Sequence, residues 1–194
     1  MAQVPSFSSL TRHFPYKPAA QTPNRSGAIP AGATVAGNKD LVEQIGGNLH
    51  TRLSAIYPDL DLMNTCAVRL SYCLNKAGSK ITPASHVRMY KGGDGNFYTI
   101  SADEMITYLR GKYGRPVLIF DGDKRADKEW LGAVTPPVQG IFGYDWQGRI
   151  ADFGATGHVD IGRLPDSKVS SITDIGTGAY FTDGPMKVYF WAAT

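Results

Sequence analysis

Asn64-Thr65-Cys66-Ala67-Val68-Arg69-Leu70-Ser71-Tyr72-Cys73-Leu74-Asn75-Lys76-Ala77-Gly78 reads as one helix punctuated at both ends. Asn64 and Thr65 are favoured just before a first turn, and Gly78 is a stop just past the last apolar residue. Ala67, Leu70 and Leu74 recur at i, i+3 and i+7, which predicts a buried face. Cys66 then falls in the first turn, where unpaired N–H groups and the positive end of the helix dipole favour an anion. A thiol held there ionises more easily and becomes a better nucleophile. Most free cysteines, however, are small buried apolar residues, so position alone does not make a catalyst. A base has to come from elsewhere in the chain.

The two cysteines, Cys66 and Cys73, lie seven residues apart on this helix. At helical rise their Cα atoms are about 10 Å apart, beyond disulfide reach. Cys73 is therefore expected to be packing, and the chain is not a disulfide scaffold.

The chain has 194 residues, 42% apolar and 11% aromatic, enough for one well-filled domain plus a tail. No run of residues is apolar enough to span a bilayer, and membrane insertion is not expected. The start, Met1-Ala2-Gln3-Val4-Pro5-Ser6, lacks the basic end and apolar run of a cleaved secretory signal. Net charge is +3, from 20 basic and 17 acidic residues. The excess sits in residues 1–36, where Arg12, Lys17 and Arg25 meet no acidic residue. The remainder is balanced and has no basic stripe with interleaved aromatics, so nucleic acid is not an expected partner.

Five prolines among Ser, Thr, Ala and Gly suggest that residues 1–37 form a loosely ordered arm, with a globular domain at 38–194. From Asn38, Leu41, Val42, Ile45, Leu49 and Leu53 follow helical spacing. Gly46-Gly47 weakens that run and suits a close crossing by another element. Leu60 to Met63 leads into the Cys66 helix. Lys91 to Asn96 is a turn before a short strand at Phe97–Ile100, and Ser101 opens a helix that closes at Gly114. Strands are expected at Val117–Phe120, Val138–Tyr144, Gly157–Ile161, Val169–Asp174 and Met186–Trp191. A short helix is expected around Trp130. Helices first and strands afterwards predict an α+β fold with an antiparallel sheet.

Cysteine hydrolysis needs a thiolate, an imidazole and a group that orients the imidazole. His13 lies in the arm, His50 among polar neighbours on a helix, and His86 in a loop after Pro83. Only His158 lies on a predicted strand, behind a glycine that permits close approach. Strand alternation puts His158 and Asp160 on one face, with Val159 and Ile161 on the other. Metal and nucleotide chemistry have no support, since there is no H-E-x-x-H, no C-x-x-C and no phosphate-binding glycine loop, and a serine hydrolase has none either, since there is no G-x-S-x-G. Asp121-Gly122-Asp123 departs from a calcium loop at Arg125 and Ala126.

The block Asn64 to Asn75, followed far downstream by Gly157-His158-Val159-Asp160-Ile161, resembles the fourth family of type VI secretion amidase effectors. These are papain-like, NlpC-type cysteine hydrolases, and the likeness covers residues 38–194. It implies N-terminal helices with the nucleophile helix packed on an antiparallel β-sheet. It further implies an antibacterial toxin, made in the bacterial cytoplasm and carried by a secretion apparatus to the periplasm of a rival cell. There it would hydrolyse the γ-D-glutamyl–meso-diaminopimelate bond of the peptidoglycan stem peptide. A cognate immunity protein is the implied partner. Carried over, Cys66 is the nucleophile, His158 the base and Asp174 the third member, with Asp160 as the rival for that place. Two other readings stand beside it: a papain-like hydrolase or acyltransferase on another substrate, and a non-catalytic binding module in which Cys66 only packs.

Overall fold

The computed structural model describes residues 1–18, 29, 31–122, 134–147, 157–165, 173–174 and 185–194. Helix α4 (Cys66–Lys76) is its centre, with Thr65 at the N-cap and Gly78 in a left-handed conformation just beyond the end. One buried face was expected; instead every residue from Cys66 to Asn75 is buried. A helix enclosed on all sides belongs at the middle of a domain, and its two flanks explain the burial. On one side Cys66, Ala67, Leu70, Cys73 and Leu74 pack with α1 (Phe7–His13), α5 (Ala102–Tyr113) and the sheet residues Ile141, Val159 and Ile161. On the other, Val68 and Tyr72 pack with α2 (Asn38–Ile45), α3 (Gly47–Ile56) and Tyr98.

The run expected as one weakened helix is two. The chain turns at Gly46, whose φ is +63°, so α2 ends at Ile45 and α3 starts at Gly47. The expected crossing element is the hairpin of β1 (Tyr90–Lys91) and β2 (Phe97–Tyr98). Its Gly93 N–H donates to Ile45 O at 2.8 Å, and a Cβ on Gly47 would meet Gly93 N at 2.4 Å. No side chain fits there. A 3₁₀ turn at Leu60–Leu62 then leads into α4.

The main sheet holds β3 (Val117–Gly122), β4 (Val138–Trp146), β5 (Gly157–Leu164), β6 (Thr173–Asp174) and β7 (Met186–Ala192) in the order β3-β7-β4-β5-β6, all pairs antiparallel. Alternation along the strands separates two layers. Ile141, Val159, Ile161 and Trp191 face the helices, while Phe142, Tyr144, Trp146, Val188 and Phe190 form a second core with Ile119 and Leu164. The architecture is α+β, as expected. The helix expected around Trp130 and the residues from Val169 to Ile172 lie outside the described residues.

The N-terminal residues depart from the arm reading. Val4, Phe7, Leu10, Phe14 and Tyr16 are all buried in the core around α4. Ser6 caps α1 by accepting from Ser9 N–H, and Tyr16 makes a parallel bridge to Val35. Average composition hid these five large apolar side chains, each of which stabilises by about 2 kcal/mol when buried. No helix among the described residues is long and apolar enough to cross a membrane.

Candidate active site

Cys66 opens α4, so its side chain sits where the first N–H groups of the helix point outward. It is 3% exposed. Its backbone N–H donates to Asn64 Oδ1 at 3.2 Å, and Asn64 thus does the capping that the N-cap Thr65 does not. The Thr65 hydroxyl is turned inward instead. It donates to Asn38 Oδ1 at 2.7 Å and accepts from Arg69 Nε at 2.9 Å.

His158 is the second residue of β5, opposite Tyr144 of β4. The glycine before it lets α5 come close: a Cβ on Gly157 would sit 3.3 Å from Asp103 Oδ1 and 2.5 Å from Tyr144 O. The imidazole packs between rings, 5.7 Å from Tyr144 and 6.5 Å from Trp146, the latter nearly parallel at 13°. Such rings fix the imidazole plane and favour its cationic form.

His158 and Asp160 share the β5 face that meets Tyr144 and Phe142, and the charges at Cys66 and Asp160 both reach the imidazole. Cys66 and Asp160 both act on the His158 imidazole and raise its pKa. Asp160, two residues along the same strand face, sets Oδ2 at 3.6 Å from His158 Nε2. That is an ion-pair distance and longer than a good hydrogen bond, a looseness common in unliganded catalytic sites. Asp160 is held in turn by the Ile161 N–H, which donates to its Oδ1 at 2.7 Å. Burial alone would push the His158 pKa down. Asp160 and Cys66 outweigh it, and the pKa rises to about 10. At neutral pH that shift favours the protonated ring, the form that can donate to a leaving amine.

Asp174 is placed differently. Its backbone pairs with Gly162, four residues along β5 from His158, or about 14 Å at the rise of an antiparallel strand. Asp160 thus stands nearer to His158 along the strand than the Asp174 backbone does.

Cys73 is fully buried, and its S–H donates to Leu10 O at 3.3 Å. Burial raises its pKa, so it remains a thiol. The other histidines stay apart: His13 ends α1, His50 contacts Ser54, and His86 is exposed in a loop. Among the described residues no group of three or more His, Cys, Asp or Glu could hold a metal ion.

Two features escaped sequence reasoning. Arg69, one turn after Cys66, is 0% exposed, although arginine normally marks a surface. Lys17 is close enough to feel the charges of Cys66 and Asp160; burial and Arg69 lower its pKa. Nothing in the proline-rich composition around Lys17 signals that this segment reaches the site.

The family model for type VI secretion system amidase effector protein 4 matches residues 62–191, which hold Cys66, Asp160 and His158. No curated protein matches the chain. Among solved structures, the Tae4–Tai4 effector–immunity complex of Salmonella Typhimurium is 23% identical over 98% of this chain and 99% of that chain, with a TM-score of 0.61. The effector Tae4 of Enterobacter cloacae is 18% identical over the full length of both chains, with a TM-score of 0.63. At these identities the likeness speaks for the shared fold, in keeping with the papain-like, NlpC-type arrangement expected from the sequence. A family model spanning most of the chain says more: this protein belongs to the type VI secretion amidase effectors of family 4.

Proposed function

We propose that this antibacterial cell-wall amidase is a cysteine hydrolase that cleaves the γ-D-glutamyl–meso-diaminopimelate bond of peptidoglycan stem peptides. The observation that carries the reading is Cys66 at the start of α4, with His158 close enough to feel its charge and Asp160 at 3.6 Å from the imidazole. Cys66 is the nucleophile, His158 the proton carrier and Asp160 the orienting carboxylate, preferred over Asp174 on distance.

The Cys66 thiolate attacks the amide carbonyl, forming a C–S bond and an oxyanion. The Cys66 N–H faces that oxyanion once Asn64 Oδ1 gives up its bond. As the tetrahedral intermediate collapses, His158 passes its proton to the departing amine, and the C–N bond breaks. Neutral His158 then takes a proton from water, the resulting hydroxide attacks the thioester, and the carboxylate leaves as the thiolate returns. Asp160 holds the ring in one orientation throughout. The site of action is the periplasm of the target cell. The relatives crystallised as effector–immunity complexes support a cognate immunity protein as the partner of this chain too.

The test is digestion of purified sacculi followed by mass spectrometry of the products. The expected products carry a free γ-carboxyl on D-glutamate and a free amine on diaminopimelate, and Cys66→Ala releases none. Undiminished release by Cys66→Ala overturns the cysteine mechanism, and scission at another amide overturns the bond assignment.

A further inference from the structure

Thr65 occupies the N-cap of the nucleophile helix but makes no side-chain capping bond. Its hydroxyl is spent on a buried network instead, donating to Asn38 Oδ1 and accepting from Arg69 Nε. Asn38 uses its full capacity: Nδ2 donates to Asp61 O and to Met63 O, both at 2.9 Å, and Oδ1 accepts from Thr65 and from an Arg69 terminal nitrogen at 2.9 Å. Arg69 also donates to Pro15 O and to Ala36 O, the latter at 3.0 Å. Thr65, Asn38 and Arg69 are all nine-tenths buried or more.

Enclosing a guanidinium is unfavourable, and an apolar side chain of similar volume fills such a space as well or better. A methionine cannot, however, fix several oxygens at once. The planar fork of Arg69 pins the N-terminal segment at Pro15, the entry to α2 at Ala36, the first residue of α2 at Asn38 and the cap of α4 at Thr65. Asn38 adds the two carbonyls of the turn that leads into Cys66. Every chain segment meeting at the foot of α4 is tied to one rigid group, and Thr65 is bonded directly to Cys66.

We propose that Arg69, Thr65 and Asn38 are positioning residues that set where the Cys66 sulfur stands relative to His158. The inference rests on the cysteine mechanism above. It also gives the N-terminal segment a role, since Pro15 closes the clamp. A nucleophile must be held within about 0.5 Å of its productive place, and a 1 Å error costs on the order of 100-fold in rate.

The experiment compares Thr65→Val with Thr65→Ser, measuring kcat and KM on soluble muropeptides and melting of each protein. Valine keeps the shape and removes both hydrogen bonds, whereas serine keeps them. The expected result is a kcat lowered about 10- to 100-fold in Thr65→Val, with KM within a factor of about three and near wild-type kcat in Thr65→Ser. A kcat for folded Thr65→Val equal to wild type, or an equal kcat loss in Thr65→Ser, overturns the proposal. Thr65→Ala replaces the valine variant if that one does not fold, with the same criterion. Failure of the underlying mechanism is read separately, as full activity in Cys66→Ala.

Discussion

Cys66 and Cys73 share one helix, seven residues apart, and both are buried, yet the fold gives them opposite chemistry. Cys66 stands at the positive end of α4, and its charge is felt by the His158 imidazole. Cys73 stands two turns on, among apolar side chains, with its S–H donated to a backbone carbonyl. Burial as such does not distinguish them. What distinguishes them is the partner each sulfur meets: a proton carrier in one case, an acceptor that holds the thiol form in the other.

The largest expected effect breaks that comparison directly. Cys66→Ala abolishes stem-peptide cleavage, whereas Cys73→Ala retains kcat and KM. Native protein treated with iodoacetamide is expected to be alkylated at Cys66 and not at Cys73, with peptide mass mapping as the readout. Alkylation of both at similar rates removes the distinction drawn here.

The next effect sharpens why Cys66 is different. Asp160→Asn keeps the shape beside His158 and removes the charge, so kcat is expected to fall by about 10³- to 10⁴-fold, as for other orienting carboxylates. Asp174→Asn is expected to leave kcat within a few-fold. Kinetics on the two folded variants settle which aspartate serves the histidine, and the reverse pattern assigns the role to Asp174. On the other side of the comparison, Cys73→Ala is a stability change only. Removing one buried sulfur from a well-packed site is expected to cost about 1 to 3 kcal/mol in denaturant unfolding.

The residues explain which of these features a reader of the sequence could find. The α4 helix was legible because its ends carry residue types with positional meaning and its length is short enough for caps to bracket it. His158 was legible because a strand pattern and a preceding glycine set it apart from three histidines in polar surroundings. The face shared by His158 and Asp160 followed from parity, but parity does not give the depth of a carboxylate, and so it could not rank Asp160 above Asp174. Burial of Arg69 and of Phe7, Leu10 and Phe14 was out of reach for a different reason. Arginine usually reads as surface, and a proline-rich composition usually reads as unpacked; both inferences average over contexts, and the contacts that reverse them here, such as Arg69 with Asn38, Ala36 and Pro15 and Cys73 with Leu10, come from residues 31 to 63 positions away.

The smallest effect is carried by proton linkage and follows from the same contrast. The folded pKa of His158 lies above its ordinary value near 6.5, raised against the opposing pull of burial by Asp160 and Cys66 to about 10. Between those values the folded protein binds a proton at this ring that the unfolded chain releases. The contribution to stability is therefore complete below about pH 6.5 and is lost as pH climbs through about 10. Unfolding free energy measured by denaturant at a series of pH values is expected to decline across that window. In Asp160→Asn the raising carboxylate is gone, so the decline should still begin near about pH 6.5 but end at lower pH and be smaller in total. Cys73→Ala leaves His158 and its neighbours in place, so below about pH 8, where the Cys73 thiol is protonated in the folded and unfolded chain alike, its curve should run parallel to wild type, displaced only by its constant loss of stability. A Cys73→Ala curve that departs in slope from wild type between about pH 6.5 and 8, below the ionisation of a free thiol, would mean that Cys73 tunes His158, and the contrast between the cysteines would fail.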